Sequence, residues 1–119
     1  MKMSRSLASS PSFERFVLDQ LADLGPVSST KMFGGVGLYC GEVFFGIIAR
    51  DELYLKVDER TRERYEHAGM HPFKPYPGRS GTMTYYAVPV GVLESAMEVV
   101  AWARDALVAG STPKPRARR

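Results

Sequence analysis

Phe13, Phe16, Val17, Leu21 and Leu24 recur at three- and four-residue steps, the spacing of one buried helical stripe. The pattern predicts a helix from Ser12 to Leu24. Ser10 or Ser12 can offer a side-chain oxygen to the free N–H groups of its first turn, and Pro11 suits that turn. Gly25-Pro26 ends it, because glycine tolerates the left-handed conformation and proline cannot continue a helix. After Ser28 the pattern changes to short apolar runs, which predict strands at Ser28–Phe33, Val36–Cys40, Val43–Ala49 and Leu53–Val57. Val43–Ala49 is apolar on both faces and belongs in the middle of a sheet. Gly41-Glu42 fits a type II′ hairpin turn. That register sets Tyr39 opposite Phe44, Leu38 opposite Phe45 and Gly37 opposite Gly46, leaving a shallow groove between Tyr39/Phe44 and Lys56. A three-residue loop, Arg50-Asp51-Glu52, then places Leu53, Leu55 and Val57 on the face of Phe45 and Ile47. The other face collects Tyr39, Phe44, Ile48 and Tyr54, with Lys56 nearby.

Asp58 reads as the cap of a short helix, Glu59–Ala68, ended by Gly69 and buried along the one side that holds Tyr65 and Ala68. Phe73–Tyr76 and Thr82–Val88 read as strands around a Pro/Gly turn. Pro75 and Pro77 put the first of them at an edge, since proline cannot donate to a ladder. Ser95-Ala96-Met97-Glu98 has the form of a capping box. The helix it opens buries Val99, Trp102, Ala103 and Ala106 and stops at Gly110, with Trp102 mostly buried. Helix, four-strand meander, helix, two strands and helix make an α+β fold: a two-layer sandwich, mainly antiparallel sheet with flanking helices. At 119 residues there is room for one core. The expected division is a flexible segment 1–11, a folded domain 12–110 and a basic flexible tail 111–119.

Charge changes this picture only once it is divided. The net charge is +3, but the two tails hold six of the 16 basic residues and none of the 13 acidic ones. Residues 12–110 therefore carry ten basic and 13 acidic side chains, a balance of −3. A folded nucleic-acid-binding surface is normally cationic, so this core does not advertise one. The tail, with Lys114, Arg116, Arg118 and Arg119, is where weak, salt-sensitive nucleic-acid affinity would reside. No apolar run approaches the roughly 20 residues of a membrane helix, and residues 1–11 lack the apolar core of a secretory signal. A single cysteine, Cys40, allows no internal disulfide. These features predict a cytoplasmic protein.

The chemical motifs dissolve on inspection. Gly34-Gly35-Val36-Gly37 resembles a phosphate loop, but a strand follows it where phosphate binding needs a helix N-terminus. Ser28-Ser29-Thr30-Lys31 has the S-x-x-K spacing of serine acyl-enzymes without their partner motifs. His67 and His71 are separated by the helix-breaking Gly69 and cannot share a helical face. With one cysteine and two dispersed histidines no metal centre is expected; nor is a catalytic residue, a cofactor or turnover. Cys40, beside a hairpin turn, reads as structural.

Several segments together carry a family resemblance. They are Lys31-Met32-Phe33-Gly34-Gly35-Val36-Gly37-Leu38-Tyr39, then Gly41 and Phe44, Leu53-Tyr54-Leu55-Lys56-Val57-Asp58, Gly69 with Pro72-Phe73, Met83, Tyr85-Tyr86, Pro89, and Trp102-Ala103 with Ala106. In combination, from about Phe13 to Val108, they resemble the TfoX (Sxy) N-terminal domain family. The resemblance implies a small α+β domain of the secretion-chaperone-like type. Full-length members regulate bacterial competence genes with the cyclic-AMP receptor protein and carry a second, C-terminal domain; this chain is read as a single-domain member. The family implies no catalytic residue or cofactor.

The expectation for function is a non-enzymatic regulatory or adaptor domain that contacts a protein partner in transcription regulation. The candidate contact residues are Lys31, Tyr39, Phe44, Tyr54 and Lys56 on and beside the aromatic face. Coverage of that face by the terminal helix or by a second copy of the chain, as a homodimer, competes with partner binding. The alternative function is direct, weak nucleic-acid binding by the tail with Lys31, Lys56, Lys74 and Arg79.

Overall fold

A computed structural model describes residues 8–32, 34–74 and 84–111. Ser10 accepts a hydrogen bond on its side chain from Phe13 N–H and opens α1 (Pro11–Gln20), with Pro11 in the first turn. A short 3-10 turn, Ala22–Leu24, carries the chain on to Gly25. Val17, Leu21 and Leu24 are buried as the stripe requires, whereas Phe16 is 39% exposed. Four strands then run as a meander: β1 (Val27–Met32), β2 (Gly35–Cys40), β3 (Val43–Ala49) and β4 (Glu52–Lys56). The short helix α2 (Glu59–His67) follows, then β5 (Tyr85–Ala87), α3 (Val90–Leu93) and α4 (Ala96–Ser111). The sheet is wholly antiparallel in the order β1-β2-β3-β4-β5. The α+β fold is as expected.

Two local features reset the register. Tyr39 does face Phe44 across the β2–β3 hairpin, where Gly41 takes a positive φ of 63°. One step further, Leu38 faces Gly46 and Gly37 faces Ile47, because the ladder shifts between Leu38 and Tyr39 and leaves Phe45 as an extra residue in β3. Such a bulge brings two consecutive side chains toward the same face. Phe45 therefore joins the core, and the adjacent position must be small. A Cβ on Gly46 would lie 3.1 Å from the Tyr54 carbonyl oxygen and 3.3 Å from Leu55. The Gly37–Gly46 pairing is thus corrected, and with it the groove: the space beside Gly37 is filled by Met32 and Phe44.

The second reset is the β3–β4 connection. Ala49 pairs with Glu52, so the loop has two residues, Arg50 and Asp51, both at positive φ (52° and 60°). In place of the register of the expected three-residue loop, the short turn aligns Ile48 with Leu53 and Ile47 with Tyr54. Ile48, expected on the aromatic face, is fully buried in the main core with Leu53, Leu55 and Val57. Ile47 takes the place expected for it on the other face.

The helices lie on one face. Val17 of α1, the α1 C-cap Leu21, and Val99, Val100, Ala103 and Ala106 of α4 meet Val36, Leu38, Phe45, Ile48, Leu53 and Leu55. Asp58 caps α2 in a reciprocal box with Thr61, but only Thr61 and Tyr65 are buried there; Ala68 is exposed. Ser95 caps α4 through Glu98 N–H (3.2 Å), while its own N–H is already bonded to Val92 in α3, a helix that the sequence pattern did not predict. Gly110 lies inside α4 and does not end it. A Cβ there would come 2.9 Å from the Phe44 carbonyl oxygen, so its role is close approach of α4 to β3. Trp102 is half-buried, edge-on to Tyr65 (4.8 Å between centroids) and stacked under the Arg64 guanidinium (4.3 Å). Arg64 also pairs with Asp105 at 3.1 Å, fastening α2 to α4. Of the predicted strand at Phe73–Tyr76 the described residues show a bridge centred on Pro72 opposite Tyr86, in which Phe73 N–H donates to the Tyr85 carbonyl and the His71 carbonyl accepts from Ala87 N–H, on the outer side of β5. Pro75, Pro77, Arg79, residues 1–7 and the basic residues of the tail lie outside the described residues.

Candidate functional site

The sheet face away from the helices collects Phe44, Ile47, Ala49 and Tyr54 with Tyr85, Ala87 and Phe73. Alternation along each strand puts them there, and the bulge at Phe45 lets Phe44 and Ile47 share the face although they are three residues apart. This face is closed rather than open. Tyr54 is 4% exposed, and Phe73, Tyr85 and Ile47 are similarly buried.

The five candidate contact residues separate into three places. Tyr39, Phe44 and Lys56 come together. Tyr39 and Phe44 are half-buried with ring centroids 5.0 Å apart, and Phe44 meets Tyr85 at 5.5 Å. Lys56 Nζ donates to Thr84 Oγ1 (2.9 Å) and lies 5.2 Å from the centre of the Tyr85 ring. Burial, with the neighbouring Tyr39, pushes the Tyr85 hydroxyl up to about 12. This row is a rim: aromatic faces below, with a phenol and an ammonium group at its outer side.

Tyr54 belongs to a second place, at the other end of the face. Its ring packs edge-on against Phe73 (4.9 Å) and His71 (5.9 Å). Its hydroxyl donates to Glu52 Oε1 at 2.7 Å, and His71 Nε2 lies 3.2 Å from the same oxygen. Burial and the Glu52 carboxylate drive the Tyr54 hydroxyl well above its ordinary range, so it stays protonated and donating. The Tyr54 ring is buried, so its support lies beneath this end of the face. Lys31 forms the third place, exposed on the edge strand β1 opposite Val36, where a charged side chain discourages unwanted strand pairing.

The Glu52–Tyr54–His71 cluster was missed by sequence reasoning. Glu52 and Tyr54 alternate on one face of β4, but the sequence pattern assigns Glu52 to the loop, and His71 arrives from beyond α2. Of the other singled-out residues, Cys40 is a half-buried free thiol packed against the main core. His67 is exposed at the end of α2, 3.9 Å from Glu63. Among the described residues no group of three or more metal-ligating side chains converges, and no helix is long and apolar enough to cross a membrane.

With this geometry in hand, comparison with known proteins is decisive about kinship. Residues 19–109 match the TfoX N-terminal domain. The chain belongs to the TfoX N-terminal domain family. It is also 31% identical over 110 residues to a 12.7 kDa protein from the trpE 5′ region of Spirochaeta aurantia, an alignment that covers 92% of this chain and 90% of that one. The TfoX match takes in the whole sheet, α2 and α4 up to Ala109, so the rim, the Glu52 cluster and the Arg64–Trp102 fastening all lie within the family's domain. Family membership supports a regulatory type of domain.

Proposed function

We propose that this TfoX N-terminal domain is a non-enzymatic cytoplasmic adaptor that acts in transcription regulation by contacting a protein partner. The observation that carries the reading is the family match across nearly the whole folded region. The contact surface we assign is the rim formed by Tyr39, Phe44 and Lys56, with Lys31 on the edge strand β1 as a separate contact point. Half-buried aromatic rings beside a cation suit a protein interface, where such residues supply contact area at low entropic cost. Tyr54 serves by supporting the other end of the same face.

The test is site-specific photo-crosslinking in the native bacterium, with the reactive group placed at Tyr39, at Lys31 or, as a control, at Met97 on α4. A single protein species captured from Tyr39 and Lys31 but not from Met97, and altered transcript levels in a deletion strain that Tyr39→Ala fails to restore, is the expected result. Equal capture from all three positions, or an unchanged transcriptome, rejects the reading.

Direct nucleic-acid binding is the second reading, favoured only by the concentration of six basic residues in the tails against the net −3 of residues 12–110. Backbone neutralisation by so few cations carries no base readout. It predicts micromolar or weaker, salt-sensitive gel shifts that vanish when residues 111–119 are removed.

A further inference from the structure

The turn between β3 and β4 holds two non-glycine residues in the left-handed region, Arg50 at φ 52° and Asp51 at φ 60°. Side chains other than glycine, asparagine and aspartate pay for that conformation, and such outliers persist where the surroundings require them. Asp51 has a structural reason. Its Oδ1 accepts from Ser10 N–H at 2.8 Å and its own N–H donates to Ser9 Oγ at 2.8 Å, pinning the start of α1 to the hairpin. The backbone of Arg50 is what a two-residue hairpin loop requires at its first position, but among the described residues its side chain makes no hydrogen bond or ion pair, and glycine would fit that backbone without strain.

What Arg50 does is line a pocket of about 450 Å³ with Glu52, Tyr54, His71, Pro72 and Lys74. Lys74 is exposed and likewise has no ion-pair or hydrogen-bond partner among the described residues. Glu52, the acidic member, is occupied: it accepts from Tyr54 (2.7 Å) and lies 3.2 Å from His71 Nε2. Among the described residues, then, the pocket has two cations without ion-pair partners on its walls and a carboxylate already engaged with its neighbours, with Tyr54 and Pro72 as a floor.

We propose that this pocket binds a small oxyanion, the phosphate monoester or carboxylate group of a polar metabolite. Arg50 and Lys74 supply the charge, and Glu52 fixes the His71 ring as the third wall. A guanidinium suits this task because its planar fork of donors matches the geometry of both anions. Ligand binding here is independent of the partner contact proposed at the rim, which lies at the other end of the face.

Amide NMR titrations of the full chain at constant ionic strength, with inorganic phosphate, ribose 5-phosphate and acetate as probes, test the assignment. The expected result is saturable shifts confined to residues 50–54 and 71–74, with the phosphate and acetate arms showing which anion the pocket prefers. Arg50→Gly should weaken binding by roughly tenfold or more while the melting temperature holds or rises, because glycine relieves the turn. That pairing separates lost ligand contact from lost fold. Lys74→Ala should weaken binding too, and Arg104→Ala, on α4, should leave it unchanged. The assignment is overturned by an absence of saturable shifts with all three probes, by shifts spread equally over Lys31, Arg60 and Arg104, or by undiminished binding in Arg50→Gly.

Discussion

The helix-covered face of the sheet is aliphatic apart from Phe45 and Tyr86. Val36, Leu38, Ile48, Leu53 and Leu55 meet α1 and α4 there. The other face is built from Phe44, Tyr54, Phe73 and Tyr85, and its edges carry a phenol, an imidazole, a carboxylate and an ammonium group. Both faces bury their apolar atoms, so burial does not distinguish them. Polar tips do: an aliphatic side chain contributes only packing, whereas a tyrosine buries a ring and still presents a hydroxyl. The first face holds the domain together, and the second also holds groups that can recognise something.

The largest effects should separate the faces. Phe45→Ala removes a fully buried ring at the bulge and should cost about 3–5 kcal/mol in urea unfolding. Phe44→Ala, at the half-buried rim, should cost clearly less and leave the fold cooperative. Equal losses would erase the distinction. Gly110→Ala drives a Cβ to 2.9 Å from the Phe44 carbonyl oxygen and should cost about 1–3 kcal/mol, because backbone cannot step aside as a side chain can. Gly91→Ala, with nothing within 4 Å of its Cβ, should be neutral or slightly stabilising and serves as its control.

Smaller effects sharpen the polar side of the contrast. Tyr54→Phe keeps the ring but removes the donor to Glu52, and should cost about 1 kcal/mol. Tyr85 gives a pH signature. Its pKa is raised to about 12 from 10.0, so the folded state holds its proton more tightly than the unfolded chain. The associated stability is complete below pH 10 and is lost as pH rises toward 12. Ultraviolet titration should show tyrosines ionising late and together with unfolding; early ionisation of every tyrosine would contradict their burial.

The least effect lies at α2. Burial works to raise the Asp58 carboxyl, but hydrogen bonds from Thr61 N–H and from Arg60 outweigh it and hold the group below its ordinary 3.8. A lowered folded value means stability that is present above pH 3.8 and lost as pH falls through the folded value. Asp58→Ala should therefore cost about 1 kcal/mol at neutral pH, and its difference from the parent chain should close in acid. A gap that persists there would assign the effect to something other than the charged cap.

Much of the architecture was legible because it rests on local causes. Helix caps at Ser10, Asp58 and Ser95 and the Gly41 turn are short-range backbone chemistry, and each lies where the residues predict; the first helix, expected to run to Leu24, ends at Gln20, and Gly25 closes only the 3-10 turn that follows. The amphipathic stripe through Val17 and Leu21 and the doubly apolar Val43–Ala49 likewise announce burial and a central strand. The illegible parts share one cause. A bulge or a change of one residue in loop length reverses the face of every side chain beyond it, and neither leaves a strong local mark. Ile47 and Ile48 exchanged faces, and the Gly37–Gly46 groove disappeared, for this reason.

The sequence by itself determined the order of the main elements apart from α3, the antiparallel α+β class and the family, since these follow from period, caps and short motifs. Only the tertiary structure decided which side chains meet. Gly110 looks like a helix stop until α4 is seen against the Phe44 backbone. Arg50 and Lys74 are 24 positions apart, and His71 and Tyr54 are separated by all of α2; the sheet alone makes them walls of one pocket. Chain-local energies choose the elements, but the pairing register and the packing of one layer on another choose the neighbours, and a binding site is made of neighbours.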